Sequence, residues 1–228
     1  TAAVVGDVKA EEVFRLADLY FGRIPSGPKP EPVRTREPEQ WGERRVTVSA
    51  QAQPYLIIGY HRPEVRHKDN HALEALADIL GQGRSSRLFT SLVKNKKIAV
   101  SASTAGSFPG EKYPNLFVLF AIPAQGKSSA ECLAAVEEEI EKVKKESVSE
   151  EELTKFKRRA IKNLLDQMTN NASMAALLTY AEVILGGYQK LFNQIDEIKA
   201  LTAEDIRRVA NKYLVKNNRT IGEIIPEP

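Results

Sequence analysis

Apolar residues along this chain recur at two spacings, and each switch between them marks an element boundary. Ala2 to Val5 reads as a short strand. Asp7 is a plausible N-cap, and Val13, Leu16, Ala17, Tyr20 and Phe21 then recur at helical spacing as far as Gly22. Arg45 to Ser49 and Pro54 to Tyr60 have the β-branched and aromatic content of strands, and both should lie in one sheet. From Asp69, as N-cap, to Leu80 the residues Leu73, Leu76, Ala77 and Leu80 share one helical face, which Gly81-Gln82-Gly83 ends. A short helix follows over Ser86 to Lys94. Ile98 to Thr104 alternates as a strand, Ser107 to Gly110 turns, and the apolar run Leu116 to Ile122 completes a hairpin expected at the centre of the sheet.

The next stretch is helical and announces its own phase. Ser128 with Glu131, Ser149 with Glu152, and Thr202 with Asp205 stand at capping-box spacing, the last with Asp in place of Glu. The helix over Ser129 to Lys145 should pack through Leu133, Val136, Ile140 and Val143. The one from Glu150 to about Thr169 should pack through Leu153, Phe156, Ala160, Leu164 and Leu165. Ala172 to Leu185 is stopped by Gly186-Gly187, and a helix near Ala203 to Tyr213 leads to a last strand, Thr220 to Ile225. From residue 45 onward the order β-β-α-α-β-β-α-α-α-α-α-β is α+β, with an antiparallel or mixed sheet covered on one side by helices.

Between the first unit and this domain, prolines at 25, 28, 30, 32 and 38 forbid regular helix and favour an extended connector. The first residues start as a strand in mid-stride, so the sequence reads as part of a longer protein. The charge balance, 33 Lys+Arg against 30 Asp+Glu, is nearly even, and the basic residues are interspersed with acids, which gives no nucleic-acid footprint. No apolar run approaches the roughly 18 residues of a membrane-spanning helix.

Chemistry-bearing residues are few. His61, His67 and His71 fall close together, and Glu74 follows His71 by three, which imitates half of an inverted zinc-peptidase motif. The imitation fails because Ala75 stands where the second His belongs, and His67 precedes the expected helix start; side chains meeting solvent or the helix start are the bland reading. Gly81-Gln82-Gly83-Arg84-Ser85-Ser86-Arg87 suggests a phosphate loop but follows a helix and fits neither nucleotide fingerprint. A helix-to-helix junction is the alternative, with Gly81 or Gly83 at positive φ and Ser85 or Ser86 capping. Ser85, Ser86 and Ser101 have no legible His-Asp partners, the acid run Glu137 to Glu139 reads as solvated helix surface, and the lone Cys132 reads as a small core residue.

Taken in order, several strings resemble the pitrilysin and mitochondrial-processing-peptidase family of zinc peptidases. They are Val4-Val5-Gly6-Asp7-Val8 with Glu11-Glu12-Val13 and Tyr20-Phe21-Gly22; Gly59-Tyr60-His61-Arg62-Pro63; and Leu80 through Leu88. The start at Ser149 to Leu153, Leu185-Gly186-Gly187, and Ala203 to Ile206 with Ala210 and Lys212 to Leu214 complete the match. The resemblance implies a ferredoxin-like C-terminal, non-catalytic domain. Residues 1–24 would then close the preceding domain, 25–42 connect, and 43–228 form the peptidase-like domain. It implies zinc in a homologous upstream half and none in this chain, with extended, unfolded peptides enclosed between the halves. Family members that use this domain in catalysis carry an Arg and, seven residues later, a Tyr; the matching positions here are Val93 and Val100. Each missing transition-state donor is worth about 2.7–4 kcal/mol, and Lys94, Lys96 or Lys97 would be the available substitutes. The resemblance therefore implies a parent that is a zinc metallopeptidase subunit relying on an Arg/Tyr-bearing partner subunit or homodimer, or alternatively a non-catalytic scaffold or chamber-forming subunit. It implies no nucleic acid and no membrane span, and a bacterial periplasm or cytoplasm as the compartment.

Overall fold

In the computed structural model, which describes residues 1–33, 35 and 37–227, five strands form one mixed sheet. They are β1 (Arg44–Ala50), β2 (Tyr55–Arg62), β3 (Ala99–Phe108), β4 (Asn115–Pro123) and β5 (Arg219–Pro226), in the order β1-β5-β2-β4-β3. Only the β1–β5 pair is parallel. Because β5 returns from the far end of the chain to lie between β1 and β2, the centre of the sheet is β2. The β3–β4 hairpin therefore sits to one side with β3 at an edge, contrary to the expectation that it would be central. The strand expected at Ala2 to Val5 does not form either, since that segment finds no neighbouring strand to complete its backbone hydrogen bonds. Residues 25–33, 35 and 37–43 carry no helix or strand; the connector's Arg34 and Arg36, like Pro228, lie outside the described residues. The connector is fastened at its end, where Gln40 donates to the carbonyls of Gly42 at 2.7 Å and Arg219 at 2.6 Å.

Helices cover one face only. Alternate residues Leu56, Ile58 and Tyr60 of β2 and Phe117, Leu119 and Ala121 of β4 meet α2 (Asn70–Gly81), α3 (Ser129–Lys145), α4 (Glu150–Gln167) and α7 (Ala203–Tyr213) in the main core. A second cluster of Val65, Leu164, Leu177, Ala181, Leu185 and Leu191 joins α4 to α5 (Asn171–Tyr180), a π-helical turn at Ala181–Leu185, and α6 (Lys190–Ala200), the one helix that the pattern counts without delimiting. Cys132 is fully buried in the main core, and burial pushes its thiol up to about 11. Leu165 is not a packing residue of α4; one position beyond the buried Leu164, it turns outward and is 48% exposed. The first helix, α1 (Ala10–Phe21), buries none of its residues.

All three capping boxes form. The backbone N–H groups of Ser128, Ser149 and Thr202 donate to Glu131, Glu152 and Asp205 at 2.9, 2.9 and 3.0 Å, and each hydroxyl accepts the return bond. Such caps contribute about 1 kcal/mol apiece. Glu152 does more than cap, because Arg87 grips the same carboxylate through Nε and Nη2 at 2.7 and 2.8 Å.

The helical layer is seated by close approach of α2 to β3. A Cβ on Gly81 would fall 2.4 Å from the Thr104 nitrogen, and Thr104 Oγ1 donates to the Ala77 carbonyl at 2.6 Å. Arg62, whose side chain is wholly buried, donates to Glu74 at 2.8 Å, to the Gly106 carbonyl at 2.5 Å and to Asn70, tying β2, α2 and β3 together. Asp69 stands at the N-cap position of α2 but makes no side-chain cap. Its buried carboxylate instead accepts from Arg208, Lys212 and Tyr213 of α7 at 2.7, 3.0 and 2.7 Å. Burial alone would raise its pKa; these three donors outweigh that and hold it well below the usual range. The acid run on α3 is likewise not simply solvated: Glu137 pairs with buried Arg219 at 2.5 Å, and Glu139 is buried against Lys142 at 2.8 Å.

Two outcomes follow from these contacts. Gly81→Ala forces the helix off Thr104 and should lower unfolding free energy by at least about 2 kcal/mol in urea denaturation. Glu152, held down mainly by Arg87, titrates at about 2 in the fold against 4.5 unperturbed. Its contribution, on the order of 2 kcal/mol after allowing for partial exposure, is complete above pH 5 and lost as pH falls toward 2. Glu152→Gln should therefore melt earlier than the parent at pH 6, with the gap closing by about pH 2.

Candidate functional site

The face of the sheet opposite the helices is apolar and uncovered. Strand pairing sets Val46, Gly222, Ile57, Phe120 and Ser103 in one row across all five strands, and Val48, Ile224 and Tyr55 in the next. On this face Tyr55, Ile57 and His61 of β2 and most of the residues of β4 are only partly buried, and Val46 and Val48 are more than half exposed. Glycine keeps the surface low in two places. Leu116 lies over Gly59, with its Cδ1 3.2 Å from where a Cβ would be, and a Cβ on Gly222 would meet Ile57 Cγ2 at 2.8 Å. Aromatic edges complete it: the Phe120 ring stands 6.2 Å from Tyr55 and 6.3 Å from Phe108. The outer edges of β1 and β3 have no strand neighbour among the described residues.

At one end of this face, Pro54, Val100, Ile122, Ile224, Ile225 and Pro226 line a cleft of about 730 Å³ beside the start of α3. Val100 is the extra residue of a bulge: Ala99 pairs with Pro123 and Ser101 with Ile122, so two steps on β3 answer one on β4. The bulge turns Val100 outward, 59% exposed. Val93 lies elsewhere, on the π-helical turn Phe89–Asn95, half-buried against the main core. Val93 does not line the cleft that Val100 lines. Of the nearby lysines, Lys96 pairs with Glu138, while Lys94 and Lys97 are exposed.

The other candidates have structural occupations. The Asp69 backbone N–H donates to His67 Nδ1 at 3.0 Å, His71 Nε2 meets Glu197 at 2.9 Å, and His61 Nε2 meets Gln40 at 3.1 Å. Among the described residues, no group of three His, Cys, Asp or Glu side chains could hold a metal ion. In the junction loop it is Gly83 that takes positive φ, at 79°, whereas Gly81 serves the close approach to β3. The Ser86 hydroxyl donates back to the Gly83 carbonyl at 2.8 Å and so holds the turn, and among the described residues no backbone N–H of the following helix donates to it. Arg87 is spent on Glu152. On the helical side, a recess of about 830 Å³ carries Glu74, Asp78 and Glu111, each already bonded, to Arg62, Arg159 and Tyr180. Among the described residues, no serine, threonine or cysteine side chain is hydrogen-bonded to a histidine. Neither recess was legible in advance, since their walls come from segments far apart in sequence.

The profile of the peptidase M16 inactive domain matches residues 1–160. The chain belongs to that family. Over 226 residues this M16 inactive domain is 29% identical to the zinc protease PqqE of Helicobacter pylori, covering 95% of this chain and 49% of that protein. A protease structure from Helicobacter pylori superposes with a TM-score of 0.87 at 27% identity, over 97% of this chain and 54% of that one. An M16 inactive domain from Pseudomonas fluorescens, at 18% identity, shares the fold with a TM-score of 0.82 over 98% and 53%. The chain thus spans about half the length of the relatives it matches. No helix among the described residues is long and apolar enough to cross a membrane.

The uncovered face should bind a hydrophobic reporter dye in the native state. Phe120→Ser should at least halve that fluorescence while leaving the melting temperature within a few degrees; unchanged fluorescence would place the dye elsewhere.

Proposed function

We propose that this M16 inactive domain is the non-catalytic half of a zinc protease, and that its uncovered sheet face is one wall of the space in which an extended, unfolded peptide is held for cleavage. The observation that carries this reading is the apolar, helix-free face bordered by the open outer edges of β1 and β3 among the described residues. Extended peptides are recognised by main-chain pairing at a sheet edge together with pockets for alternate side chains, and the open edges of β1 and β3 and the cleft beside Val100 support such a mode here. Zinc would be supplied by a homologous upstream half, in keeping with relatives of twice this length that are named zinc proteases. Residues 1–24 would pack with that half, because α1 exposes Phe14, Leu19, Tyr20 and Phe21, a surface that water alone does not favour; residues 25–42 would connect and 43–228 form the domain itself. With Val93 and Val100 in the places where the family resemblance puts an Arg and a Tyr, transition-state donors would come from a partner subunit.

Fluorescence anisotropy with a labelled, unstructured peptide tests this. The chain should bind it saturably in the micromolar range, and Ile57→Ser with Phe120→Ser should weaken binding at least fivefold. No cleavage should appear, even with added zinc. Absence of binding, with stable association to the upstream half, would instead favour a scaffold role; chelator-sensitive cleavage by the chain alone would overturn the assignment.

A further inference from the structure

On the helical side, a recess of about 640 Å³ opens between the loop before α2, the Gly186-Gly187 turn, α6 and the start of α7. It carries four permanent cations, Arg66, Lys68, Lys190 and Arg208, against two carboxylates, Glu197 and Asp205. Both acids are engaged: Glu197 with His71 at 2.9 Å, and Asp205 in its capping box and with Arg208 at 3.5 Å. Arg208 is itself held by buried Asp69. Arg66 and Lys68 make no ion pair or side-chain hydrogen bond among the described residues. Lys190 is fixed by the Leu185 carbonyl at 3.0 Å, which orients its ammonium without neutralising it.

Two of these charges converge. Arg66 Nη1 and Lys190 Nζ come within 3.6 and 3.7 Å of the point where a Cβ on Gly186 would sit, so they stand no more than about 7 Å apart. Gly186, at φ +81°, ends the π-helical turn in the left-handed region and puts no side chain beside them. Like charges held so close repel, and an anion between them turns that repulsion into attraction. A phosphate group has the right span, since its oxygens accept from cationic nitrogens at about 2.8 Å on either side. We infer that this recess binds a small phosphorylated molecule, with a phosphate over Gly186 between Arg66 and Lys190, and Lys68 and Arg208 favouring further negative charge. The site lies on the opposite side of the sheet from the proposed peptide face and is independent of that reading. The volume suits a nucleotide-sized compound.

Isothermal titration calorimetry of the full chain with inorganic pyrophosphate at low salt tests this. Saturable one-to-one binding is expected, weakened at least tenfold by Arg66→Gln with Lys190→Gln and unchanged by Arg158→Gln with Lys162→Gln, which removes the same charge from the exposed side of α4. Arg66→Gln alone, which breaks no ion pair or side-chain hydrogen bond among the described residues, carries the test if the double variant melts early. No saturable heat at millimolar pyrophosphate, equal weakening by both pairs, or binding to phosphatidylglycerol vesicles without binding to pyrophosphate would overturn the inference. Peptide anisotropy on the same variants should be unaltered, which separates failure here from failure of the peptide reading.

Discussion

How near α2 may come to β3 sets the whole helical layer. Two glycines permit the contact, Gly81 against Thr104 and Gly106 against Glu74, whose Oε2 would lie 2.3 Å from any Cβ placed there. Once the backbones are that close, Arg62 can reach Glu74, Asn70 and the Gly106 carbonyl from within the core, and its charge is neutralised where water is absent. α2 then presents Asp69 to α7, and α7 closes over the central strand. Seating one helix thus decides the position of another more than a hundred residues away in the chain.

Covering one face so thoroughly leaves the other bare. The same alternation that sends Leu56, Ile58 and Tyr60 inward sends Tyr55 and Ile57 outward, and these outward residues are as apolar as a second core. That is unusual for a sheet face left to water, where polar alternation is the rule. Together with the unburied α1, it describes a chain whose hydrophobic surface is larger than its own fold uses.

Much of the architecture was legible because its determinants are local. The three capping boxes phase α3, α4 and α7 from four-residue strings, and alternating, β-branched and apolar runs locate all five strands of the sheet to within four residues. Long-range decisions were not legible. Nothing local to Thr220–Ile225 says that β5 inserts between β1 and β2, and it is this insertion that moves the β3–β4 hairpin off centre. Asp69 has the composition of a cap, but a buried carboxylate follows the strongest donors, and those lie on α7. Glu137 and Glu139 look solvated until Arg219 and the underside of α3 are placed. The Arg/Tyr positions came from family resemblance alone; neither Val93 nor Val100 carries chemistry that a pattern of residues could reveal.

The bulge at Val100 has a consequence for how such a domain changes over evolutionary time. It is made by a count of backbone steps, two on β3 for one on β4, and not by the valine side chain. A mutation at this position therefore alters what is displayed while leaving the direction of display intact. Gaining a functional group there is a single-residue event, because the backbone register and not the side chain sets the direction in which residue 100 points.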